Sequence, residues 1–178
     1  MNLDRLYLID KIDGFSEEFS KLVSMMNFAR ATTWEQVWNL STEELDYLYD
    51  DTANSIGMLL YHMAAVEFFY QVHTFENRDL TEEEYEEWKP GLELGDIGRA
   101  VIKGHPISFY KEKMDSVRNA TLQRFQSLPD TWLYEETPFW RGKQANNYFK
   151  WFHVFEDELN HRGQIRLIKK MMNRLYTK

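Results

Sequence analysis

The stretch Trp151-Phe152-His153-Val154-Phe155-Glu156-Asp157-Glu158-Leu159-Asn160-His161-Arg162-Gly163-Gln164 places His153, Asp157 and His161 at intervals of four. On a helix each step of four drifts by only about 40°, so the three share one side. Neighbours four apart hold their Cβ atoms about 5–6 Å from each other and can grip one ion together. His153 and His161, eight apart, are separated by about 12 Å along the axis and cannot share an ion without distortion. One pair is therefore chosen, and the third residue supports it or stands aside. His62 lies in the apolar run Met58-Leu59-Leu60-Tyr61-His62-Met63-Ala64-Ala65. An imidazole there needs a partner to offset its burial, and a facing helix with a carboxylate and an imidazole would supply one. Two histidines and a carboxylate with open positions form a recognised metal-binding set, and open positions are what separate catalytic from structural sites.

The same residues have a plainer reading. An Asp–His pair four apart also serves as a surface ion pair, and a histidine in an apolar stretch also serves as a hydrogen-bonded core residue. Glu156 and Glu158 are expected to face solvent or neighbouring helices. His73 lies three turns beyond His62 on nearly the same face, too far to share its ion, and His105, before Pro106, receives no role.

Four long helices must position these groups. The first is expected from Gly14 to Arg30, with Phe15, Phe19, Leu22, Val23 and Met26 at helical spacing. A short segment with Thr33 as N-cap and Trp34 and Val37 as apolar residues follows. Ser41 and Glu44 form a capping box for another short helix, continued by Leu45 and Leu48. The second long helix is expected from Asn54 to Glu76. A short helix capped at Thr81 ends at Pro90-Gly91, and residues 91–105 form a loop with a turn of helix. The third long helix begins near Pro106 and runs to Leu128. An irregular, aromatic-rich connection from Trp132 to Lys143, with Trp140 and Arg141 at a pocket mouth, leads to the fourth, Ala145 to Leu175. The expected fold is all-α: one domain over residues 1–178, a four-helix bundle with short extra helices and two connections long enough to cross over it.

Composition narrows the function. Of the 178 residues, 43% are apolar and 28% charged, and the six Trp, ten Tyr and twelve Phe exclude a disordered chain. A net charge of −8 argues against a nucleic-acid partner. The basic run from Arg162 to Lys178 falls at the end of the last helix, where it complements the dipole. Without cysteine there is no disulfide, thiolate metal site or cysteine nucleophile. The opening residues Met-Asn-Leu-Asp-Arg show no secretory leader, and the longest apolar stretch is interrupted by Gly57, His62 and Glu67, so a cytoplasmic setting without membrane insertion is expected.

The segment from Asn54 to Met63, followed by Glu67, resembles the second-helix signature of the DinB-like (damage-inducible protein) superfamily. The segment ending His161-Arg162-Gly163-Gln164 resembles the fourth-helix signature of that superfamily, and the two occur in the same order and separation. The resemblance covers nearly the whole chain. It implies a four-helix bundle with a crossover arrangement that binds a divalent metal through three histidines, one from the second helix and two from the fourth. Carried onto this sequence, the ligands are His62, Asp157 and His161, with aspartate standing where the pattern has its middle histidine. His153 matches a frequent histidine that is not a ligand and is expected to orient Asp157. Zinc, nickel, manganese and iron all accept such a set. Related proteins include S-transferases and an isomerase that use low-molecular-weight thiols such as bacillithiol or mycothiol.

Two readings follow. In one the chain is a metal-dependent enzyme of the thiol S-transferase type, acting on a small-molecule substrate, with a homodimer as its expected assembly. In the other it is a non-enzymatic helical stress-response or scaffold protein, with Asp157 marking a degenerate metal site. Ligands converging on an open position favour the first, and a collapsed or closed site favours the second.

Overall fold

The computed structural model describes residues 5–176. Residues 1–4, where most of the leader reading falls, and 177–178, the end of the basic run, lie outside the described residues. Helices α1 (Glu17–Val37), α3 (Ile56–Gln71), α6 (Ile107–Phe125) and α7 (Asn147–Tyr176) carry the architecture. Three shorter helices, α2 (Thr42–Leu45), α4 (Glu82–Glu93) and α5 (Gly95–Val101), lie between them. The fold is all-α apart from a two-stranded hairpin, β1 (Glu136–Pro138) and β2 (Gln144–Asn146). Helix α3 packs on both α6 and α7, α1 packs on α7, and α1 touches α6 more lightly. Among the described residues no helix is long and apolar enough to cross a membrane.

The expected capping box forms at Ser41–Glu44, and Thr81, the expected cap, forms a second box with Glu84. Several boundaries differ from those expected of the sequence, each for a local reason. Helix α1 continues through Val37, so Thr33 is a buried interior residue and caps nothing. No glycine or proline interrupts Arg30–Val37, and the Thr32 hydroxyl is satisfied within the helix, 2.7 Å from the Phe28 carbonyl oxygen. Helix α2 stops at Leu45, leaving Leu48 outside it. Helix α3 starts at Ile56 behind Ser55 and passes into a π turn over Val72–Glu76, closed by the left-handed Asn77. Helix α4 runs through Pro90, whose carbonyl still accepts the Leu94 N–H at 3.2 Å. It is Leu94, at φ 55°, that ends it. Pro106 stands as the N-cap of α6, and that helix ends at Phe125, short of Leu128. The connection before α7 is more regular than its composition suggests, because it includes the hairpin, registered with Thr137 opposite Ala145.

Two apolar clusters fill the interior. One joins Leu59, Met63, Tyr110, Met114 and Ile165. The other gathers Phe19, Met26, Phe125, Trp132 and Trp151. The π turn helps to seat the second cluster: Trp151 stacks on Phe75 at 5.2 Å, meets Phe125 edge-on at 4.8 Å and donates its indole N–H to Thr74 Oγ1 at 3.2 Å. Four buried charges, one from each long helix, also meet in the interior. Arg30 donates to Glu158 and Glu67 at 3.1 Å each, and to the Met114 carbonyl at 3.2 Å. Arg118 donates to Glu67 Oε1 at 2.7 Å and Oε2 at 3.1 Å. Thr121 adds a 2.8 Å bond to Glu67. The network is charge-balanced, so the four helices are tied together with no net buried charge.

Candidate metal centre

Helices α3 and α7 face each other with His62 on one side and Asp157 and His161 on the other. One ligand-type atom from each lies within 4.8 Å of the others. His62 Nε2 is 3.5 Å from Asp157 Oδ2, and His161 Nε2 is 3.4 Å from Asp157 Oδ1. The two imidazoles stand nearly perpendicular, with ring centroids 4.7 Å apart. All three side chains are partly buried.

The second nitrogen of each ring fixes its orientation. A carbonyl oxygen can only accept, so His62 must donate Nδ1–H to Gly91 O, 2.7 Å away. The His161 Nδ1–H likewise meets the Gln164 side-chain oxygen at 3.2 Å. Both rings therefore turn Nε2 toward Asp157, the arrangement that outer hydrogen bonds impose on metal-binding histidines. Burial lowers the His62 pKa, assisted by the neighbouring His161, against the opposing pull of Gly91 O and Asp157. An imidazole so placed is neutral at pH 7 and keeps its Nε2 lone pair. Burial also acts against charge on His161, but its hydrogen bond and attraction to Asp157 outweigh burial and raise its pKa. For Asp157 burial pushes upward, while His161, His62 and His153 together hold the carboxyl below its ordinary value.

Asp157 Oδ2 is buried and has no hydrogen-bond partner among the described residues. A buried carboxylate oxygen without a donor is costly. A divalent cation between Asp157 and the two Nε2 atoms would remove that cost, and the two-nitrogen, one-oxygen donor set suits zinc, nickel, manganese or iron. The residues present fit such an ion.

His153 stands apart from this arrangement. Its Nδ1 is 3.1 Å from Glu156 and its ring meets Tyr70 and Trp140 edge-on at 5.9 and 4.9 Å. It makes no hydrogen bond to Asp157, through which it could orient that carboxylate: on α7 the His153 ring meets α3 Tyr70 and Trp140 of the hairpin connection. Trp140 does border the site through His153, whereas Arg141 sits in a left-handed turn and is exposed. His73 contacts Lys150 at 3.4 Å and His105 stacks on Phe109, both away from the cluster. Sequence reasoning missed the Gly91 carbonyl, for which the only signal was a glycine beside the apolar face of α3. Its lack of a side chain matters, because a Cβ at Gly91 would lie 2.5 Å from Tyr61 Cδ1 and 2.9 Å from Ala65 Cβ. Gly91→Ala is expected to push α4 away from α3, costing about 1–3 kcal/mol and weakening metal affinity roughly 10–100-fold through the lost His62 support. Thermal melts and metal titration of that variant check both effects.

An all-helical fold that brings two histidines and an aspartate together between facing helices has the character of the metal-dependent DinB-like superfamily. Residues 21–173 match the family model described as mycothiol-S-transferase, and the chain belongs to that family. No curated protein matches it.

Proposed function

We propose that the chain is a single-domain, divalent-metal-dependent enzyme of the thiol S-transferase type, built as a DinB-like four-helix bundle with crossover connections. In this reading His62, Asp157 and His161 hold the ion. The observation that carries it is the convergence of the two Nε2 atoms on Asp157, whose Oδ2 is unpartnered. Family membership supports a low-molecular-weight thiol as one substrate.

When bound, the ion would supply positive charge that favours the thiolate over the thiol. The chain's own residues do the rest. Gly91 O and Gln164 orient the imidazoles, so no rearrangement is needed when the site fills. Asp157 brings one negative charge, which leaves a divalent site with net positive charge for an incoming anion. With no cysteine in the chain, the nucleophilic sulfur belongs to the substrate. The alternative, a scaffold with a degenerate site, draws on Asp157 replacing a histidine. Against it, the three side chains converge and the outer hydrogen bonds of both histidines are in place.

The test is conjugation of a small thiol to an aromatic chloride such as 1-chloro-2,4-dinitrobenzene by the metal-loaded protein, followed by absorbance. Rate enhancement by the wild type and its loss in His161→Ala support the reading. Equal rates overturn it. Asp157→His restores the three-histidine pattern and is expected to keep one ion per chain by elemental analysis.

A further inference from the structure

Helix α4 carries the Gly91 carbonyl that orients His62, and it packs on α3 and on its neighbour α5. Toward α6 it is less closely packed. A cavity of about 310 Å³ lies between the two helices, lined by Glu87 and Trp88 of α4 and by Phe109, Ser116 and Val117 of α6. Lys113 of α6 bridges them, with its ammonium 4.3 Å from the centre of the Trp88 ring and 4.8 Å from that of Tyr61. That ammonium is half-buried, yet among the described residues it meets no carboxylate within ion-pair distance. Burial draws its pKa down against the pull of the Glu87 charge, and the two aromatic faces supply compensation.

Both rings belong to the α3–α4 contact that seats His62. Tyr61 immediately precedes His62, donates its hydroxyl to the Glu87 carbonyl at 3.4 Å and lies against Gly91, where a Cβ would come within 2.5 Å of the ring. Trp88, three residues before Gly91 on α4, stacks on Phe68 at 4.9 Å and tilts against Tyr61 at 5.7 Å. The chain of contacts therefore runs from the Lys113 ammonium through Trp88 and Tyr61 to Gly91. It ends at the 2.7 Å bond between Gly91 O and His62 Nδ1. An apolar stem would fill the same space, but only a charge is drawn to both ring faces and so fixes where the rings stand.

We propose that Lys113 is a positioning residue of the metal centre, an inference that rests on the metal-centre reading above. Its ammonium, held over Trp88 and Tyr61, keeps α4 against α3 at the spacing that places Gly91 O on the His62 Nδ1–H. Lys113 touches neither ion nor substrate. It acts through the tautomer and aim of His62. Without the Gly91 acceptor, the His62 proton is free to move to Nε2, where it occupies the lone pair that a metal needs.

The full-length protein tests this, with cobalt(II) as probe and competition against a chelator of known affinity as readout. Lys113→Met keeps the apolar stem and removes the charge, whereas Lys113→Arg keeps a charge over the rings. Lys113→Met is expected to bind cobalt about tenfold more weakly, the lower end of the loss that follows removal of an outer partner. Lys113→Arg should bind it as the wild type does. In the metal-free protein, a long-range proton–nitrogen NMR spectrum should show His62 as the Nδ1–H tautomer in the wild type and in Lys113→Arg, and as a mixture in Lys113→Met. A lysine that only added stability would lower the melting temperature of Lys113→Met and leave the cobalt affinity and the His62 signal unchanged; that result overturns the inference. A Lys113→Arg variant as weak as Lys113→Met overturns it too, because the charge is then not what holds the rings. Failure of the wild type to take up cobalt overturns the metal-centre reading, while the His62 tautomer, read without metal, separately decides whether Lys113 positions that ring.

Discussion

Replacing Glu67 with alanine is expected to destabilise the protein by about 3–5 kcal/mol, because it breaks a buried ion network by removing one partner. Glu67 is 1% exposed and accepts from Arg30, Arg118 and Thr121. Its removal leaves two buried guanidinium groups sharing the single Glu158 carboxylate among the described residues, and the desolvation of the surplus charge is no longer offset. Urea denaturation should show a large drop in midpoint with little change in slope. A loss under about 1 kcal/mol would mean that water enters and re-solvates the arginines. Changing all four residues to apolar ones of similar volume should cost far less than the single change, because no charge is then stranded. Burial acts to raise the Glu67 carboxyl, but Arg118 and Arg30 hold it below its ordinary value of 4.5. A carboxyl lowered in the folded state contributes stability that is complete above its unfolded pKa and is lost as pH falls through the folded one. Stability from this group is therefore flat through neutral pH and declines only below about pH 4.5, and Glu67→Gln should flatten that decline.

The second large effect concerns the metal. At a free divalent ion concentration about a hundredfold above its Kd, the wild type should gain about 2.7 kcal/mol of stability. A chelator should reverse the gain. Asp157→Ala should show neither response, because it removes the oxygens that both imidazoles face. Without metal, this variant loses the Asp157 Oδ1 contact to His161 but also the burial cost of the unpartnered Oδ2, so it should lie within about 1 kcal/mol of the wild type in stability. A wild type whose melting temperature is indifferent to every divalent ion tested would remove the physical basis for the centre.

Much of the site is legible in the chain itself. His153, Asp157 and His161 share a helix side by arithmetic alone, and His62 stands out as an imidazole in an apolar run. What spacing does not supply is which pair meets His62; the fold answers this by seating His153 against Tyr70 and Glu156 instead. Capping boxes are readable because their chemistry is local. The extension of α1 to Val37 is not, because the residues after Arg30 favour a helix only once Thr33 and Val37 have a core to enter. The buried charge network is invisible for a related reason. Glu67 reads as an interruption of an apolar stretch, and nothing in the sequence near Arg30 or Arg118 marks them as its partners. The Gly91 carbonyl is backbone, and its contact with His62 depends on how closely α4 approaches α3, which is a tertiary property.

Whether His62, Asp157 and His161 form a metal centre is decided by elemental analysis of the purified, untagged protein. About one divalent ion per chain is expected in the wild type, with loss of that ion in both His161→Ala and Asp157→Ala and helicity retained by circular dichroism. A wild type free of metal after reconstitution, or a His161→Ala variant with undiminished metal, would rule the centre out.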